Sequence, residues 1–86
     1  VKAGQIRRLA AEHSREALDA AADALAEGEP SPIPVEGKDE GEQLTNLMVA
    51  ARVRARMDER GEPLPDAFKA VMDEVRDVIR NAPPGA

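Results

Sequence analysis

From Ala3 to Ala26 the residues Ile6, Leu9, Ala10, His13, Ala17, Ala20, Ala21 and Ala24 recur at helical spacing, while Arg8, Glu12, Arg15, Glu16, Asp19 and Asp23 fall on the opposite side. The pattern predicts one long amphipathic helix over about residues 3–26. Its polar face carries Arg8 with Glu12 and Arg15 with Asp19, four residues apart, pairs that support a helix by a few tenths of a kcal/mol each. Gly28 is the natural C-cap. Pro30, Pro32 and Pro34 then stand at alternate positions, which forbids helix and favours an extended strap over 28–38 anchored by Ile33 and Val35.

The second predicted helix, about 40–60, has two apolar stripes when each residue is advanced by 100°. One holds Leu44, Leu47, Met48, Ala51 and Ala55; the other holds Val49, Ala50, Val53 and Met57. Gln43 and Arg54 fill one wedge between the stripes, and Thr45, Arg52, Arg56 and Glu59 the other. A helix patterned in this way must pack against two neighbours. After Gly61, Pro65 and Asp66 suit the first turn of a third helix, about 65–81, because proline needs no amide donor there and a carboxylate favours the positive end of the dipole. Its single stripe is Ala67, Phe68, Val71, Met72, Val75, Val78 and Ile79, and Pro83-Pro84 should stop it.

The expected fold is therefore all-α: a small three-helix bundle, one domain over residues 1–86, with a Pro-rich extended strap between helices 1 and 2. Composition makes the core thin. Of the 86 residues 16 are Ala, one is Phe, and none is Trp or Tyr, so few large side chains are available to offset the entropy of ordering the chain. Dimerisation would relieve that shortage, and the expectation is a homodimer.

Charge and chemistry narrow the function classes. Cys is absent, which removes disulfides, thiol nucleophiles and thiolate metal sites. Acidic and basic residues are interleaved with a net charge of −5, which disfavours nucleic acid as a partner. No apolar run is long enough for a membrane span, and VKAGQIRRLAAEHS lacks the apolar middle of a signal peptide, so a cytoplasmic protein with no membrane partner is expected. The row Arg52, Arg56, Arg60 could meet an anion, but Glu59 interrupts it and a solvated or partner-facing edge is the plainer reading.

The charged stretch GKDEGEQLTNLM reads first as a helix start, with Asp39 accepting from the backbone of Glu42 and Glu42 reaching back. Glu42 and Asn46 nevertheless share a side with Val49, Val53 and Met57, so a small polar patch is the alternative to Asn46 setting the register of a helix pair. His13 is the only histidine. With no second histidine it can build neither a zinc site nor a catalytic triad within one chain, so no catalytic, metal or cofactor residue is expected.

The stretch GEQLTNLMVAARVRARMDERG, followed by AFKAVMDEVRDVI, resembles a family of short helical proteins of unknown function found in Bacteroidota. The matching positions are Gly41, Glu42, Leu44, Asn46, Ala50, Val53, Met57 and Gly61, then Ala67, Met72, Val75 and Ile79. They cover the C-terminal half. The N-terminal helix is similar in length and character alone, and one residue is inserted before Gly61. The resemblance implies a helical fold without an assigned activity, Glu42 and Asn46 as recurring positions, and relatives encoded near thioredoxin or peroxiredoxin genes, hence an accessory role. Together these readings point to a non-catalytic protein–protein interaction or assembly module that self-associates. The alternative is a small-ligand or metal-binding protein using the patch around Glu42 and Asn46, with His13.

Overall fold

The computed structural model describes residues 3–81, with side chains through residue 77. These residues form four helices, and no strand occurs among them: α1 is Ala3–Glu12, α2 Arg15–Ala26, α3 Glu40–Arg60 and α4 Leu64–Asn81. The all-α class holds, but the expected count of three helices does not. Val78, Ile79 and Pro83-Pro84 of the expected last helix lie outside the residues whose side chains or positions are described.

The extra helix arises because the expected first helix breaks at His13-Ser14. Ser14 has extended backbone, φ −74° and ψ 162°, and its hydroxyl accepts from the Ala17 N–H at 3.1 Å, an N-cap that starts α2 afresh. The physical reason is the phase of the large side chains. Ile6 and Leu9 of α1 and Leu18 and Leu25 of α2 are all buried. In one straight helix Leu18 would point roughly 120° away from Ile6, so no single face could bury both pairs. Breaking the helix re-aims the second half. Ala20, which an unbroken stripe would have enclosed, is exposed.

The end of α2 is a Schellman motif: Gly28 N–H donates to Leu25 C=O at 3.0 Å and Glu29 N–H to Ala24 C=O at 2.8 Å. Gly28 takes φ +83°, a left-handed conformation that a side chain would oppose. The Pro-rich connection that follows forms neither helix nor strand. Ser31 holds it locally, its hydroxyl accepting from Ile33 N–H at 3.1 Å and donating to Ile33 C=O at 2.7 Å. That turn delivers Ile33 into the core, where it is buried.

At the centre lies α3, in contact with α1, α2 and α4, while α1 also touches α4. It starts at Asp39, whose carboxylate accepts from Glu42 N–H at 2.8 Å, and stops at Gly61 with φ +65°. Leu47 and Val53, one from each stripe, are fully buried, as two-sided packing requires. Each large side chain so enclosed contributes about 1.5–3 kcal/mol relative to exposure. Between α1 and α4, the Arg7 guanidinium lies 5.2 Å from the centre of the Phe68 ring.

Candidate functional site

The residues of the expected patch around Glu42 and Asn46 take separate places in the fold. Asn46 is fully buried, and its side-chain amide donates to the Glu36 carbonyl at 3.0 Å, fastening the Pro-rich connection to α3. One turn earlier the Gln43 amide reaches Gly37 C=O at 3.5 Å. The bond from Asn46 thus fixes a loop against a helix, where the sequence suggested the register of a helix pair. Glu42, half-buried in the first turn of α3, donates its backbone N–H to Asp39. Val49 and Val53 belong to the core, and Met57 packs against it.

His13 stands apart from these residues. It is half-buried at the α1–α2 junction, and its backbone N–H donates to Leu9 C=O at 3.1 Å. The adjoining end of α1 meets Arg54, whose guanidinium donates to the Ala10 carbonyl. Arg54 lies twelve residues along α3 from Glu42, about 18 Å at 1.5 Å per residue, so His13 and Glu42 serve opposite ends of that helix. Among the described residues no group of three His, Cys, Asp or Glu side chains is placed to hold a metal ion.

Two members of the arginine row, Arg52 and Arg56, are committed to neighbours. Arg52 pairs with Glu74 at 2.6 Å, and Arg56 with Glu62 at 2.9 Å and with Glu74 at 3.4 Å. A shallow hollow of ≈ 210 Å³ lies between this row and α4, and in it Glu74 meets both Arg52 and Arg56. These bonds tie α3 to α4.

The feature that is unaccounted for by folding lies between α2 and α3. These helices run antiparallel, with Arg15 and Glu59 paired at 3.6 Å at one end and Ala26 beside Leu44 at the other. Along the seam Met48 is 55 % exposed, the one large hydrophobic side chain so exposed among the described residues. It joins two shallow hollows of ≈ 250 and ≈ 470 Å³. Ala22, Ala26, Ala51 and Ala55 line their walls; Asp23 marks one end, Arg15 and Arg52 the other, and Asp19 borders both hollows. Sequence reading placed Met48 in an enclosed stripe. The signal against that was α2 itself, which offers alanines on this side, and alanines are too short to cover a methionine.

Of the described helices, none is long and apolar enough to cross a membrane. A family model described as a family of unknown function, DUF6952, matches residues 1–80. The chain belongs to this family. The family match takes in α1 and α2 as well as the C-terminal half that carried the resemblance. No curated protein and no solved structure matches the chain.

Proposed function

We propose that this member of the family is a non-catalytic protein–protein interaction or assembly module, and that the groove around Met48 is its contact surface. The carrying observation is the exposure of Met48 between alanine-lined walls. A flexible, polarisable methionine on a shallow apolar surface suits contact with another protein, since it repacks to fit its partner. The polar candidates support this reading less by what they lack than by what they do: Asn46 holds the connection, and Arg52 and Arg56 hold α4. A cytoplasmic setting, expected from composition, goes with the proposal. The alternative use of Glu42 and Asn46 for a small ligand or metal has less support, because the Asn46 amide is engaged by Glu36.

The test is a photo-reactive side chain placed at Met48 in the native cell. Discrete protein adducts are expected there and not at exposed Glu16. Equal labelling at the two positions, or no protein adduct at Met48, would remove the reading.

A further inference from the structure

Resting on that reading, we infer that the occupant of the Met48 groove is a second copy of this chain, related by a two-fold axis that runs in the interface, across the helices, at the level of Met48. The groove is not uniformly charged. Its Leu44 end carries Asp23, and its Ala55 end carries Arg15 and Arg52. Along α2, Arg15 and Asp23 are eight residues apart, about 12 Å, on either side of the level of Met48.

An axis across the helices lays α2 antiparallel on its counterpart and α3 antiparallel on its counterpart, so the Asp23 end of each copy covers the Arg15 end of the other. Such a surface is self-complementary, as a two-fold interface requires. The other two-fold, with its axis along the helices, would lay α2 antiparallel on the partner's α3 and put Arg15 beside Arg52. Asp23 would then face Leu44, and the groove's opposite charges would not meet. Asp19, at the level of Met48, faces its own counterpart across the axis and keeps Arg15 of its own chain at 3.7 Å. Arg15 also pairs with Glu59, and its side chain is half exposed in both pairs, so exchanging Glu59 for Asp23 of a second copy, with Asp19 retained, sacrifices little. The alanine walls let the helices approach closely, and Met48 of the two copies meets on the axis.

The test uses the full chain. Sedimentation or light scattering should show a concentration-dependent dimer, and Met48→Asp should raise the dissociation constant by about tenfold or more while the circular dichroism spectrum stays native. Asp23→Arg and Arg15→Glu should each weaken the dimer, and the double exchange on one chain should recover most of the loss. Because the chain has no Cys, Met48→Cys adds a lone thiol that should form an intermolecular disulfide rapidly under mild oxidation, and Glu16→Cys should not. A monomer at about 100 μM, a dimer indifferent to Met48→Asp, or single charge reversals without rescue in the double variant each overturns the two-fold proposal. A monomer that still gives a discrete adduct with a different protein at Met48 would overturn this inference and leave the interaction module standing; loss of both would remove the two together.

Discussion

Arg54 Nη1, on α3, donates to the Ala10 carbonyl of α1 at 3.2 Å, across 44 positions of sequence. The last carbonyls of a helix lack intrahelical donors and carry the negative end of its dipole, and α1 has no basic residue in its own last turn. The cation arrives from another helix instead. Arg54 also pairs with Asp58 at 3.2 Å on its own helix, which holds the guanidinium in place.

Replacing Arg54 by Ala should therefore loosen the α1–α3 contact. A hydrogen bond from a charged group contributes about 1.5–3 kcal/mol, and the partial exposure of this side chain puts the expected loss near the lower end. Arg54→Lys should recover part of it, because the charge is kept but the fork is lost. Urea unfolding of the three chains measures both effects. An unchanged midpoint for Arg54→Ala would show that the Ala10 carbonyl is served equally well by water.

Ser14→Ala should destabilise the protein by about 0.5–2 kcal/mol. The alternative outcome is informative, since alanine is the better helix former and could in principle fuse α1 to α2. Fusion would rotate Leu18 and Leu25 away from the face that buries Ile6 and Leu9, and the loss of two large buried side chains far exceeds any gain in propensity. The expected result is thus a lower melting temperature with no rise in helical circular dichroism. A hyperstable variant of higher helicity would contradict the account of the break.

That break also shows where sequence reading reached its limit. The all-helical class of the described residues was legible from periodicity, and the Asp39 cap and the left-handed Gly28 from local chemistry, because each depends on neighbours within a few positions. Ser14 was masked by alanines. Ala17, Ala20, Ala21 and Ala24 continue a stripe begun by Ile6 and Leu9, yet alanine is compatible with either side of a helix and carries little information about which face is inside. Leu18 and Leu25, the two large side chains in the segment, were the better guide. The partner of Asn46 was illegible for a different reason: a backbone carbonyl, such as that of Glu36, leaves no mark on the residue type that bears it.

Asn46→Leu should cost about 1–3 kcal/mol, the range for removing one partner of a buried polar pair. The effect should be local as well as global. With the Glu36 carbonyl no longer held, the segment 30–38 should become the first site of cleavage in limited proteolysis, at protease concentrations that leave the native chain intact. Global destabilisation without preferential cleavage in that segment would mean that Asn46 serves the core and not the connection.

Gly37→Ala tests the same seam from the other side. A β-carbon at position 37 would come within 2.9 Å of both the Gln43 backbone nitrogen and the Gln43 Cγ. The backbone nitrogen belongs to the first turns of α3 and donates to the Asp39 carbonyl at 3.1 Å, so it cannot retreat without disturbing that hydrogen bond. The connection must move instead, which strains the Gln43–Gly37 and Asn46–Glu36 contacts together. A loss of about 1–3 kcal/mol is expected, as for other overpacked positions. Since both variants release one connection, Gly37→Ala and Asn46→Leu should be less than additive in a double-mutant cycle. Full additivity in urea unfolding would show that Gly37 and Asn46 restrain different parts of the chain.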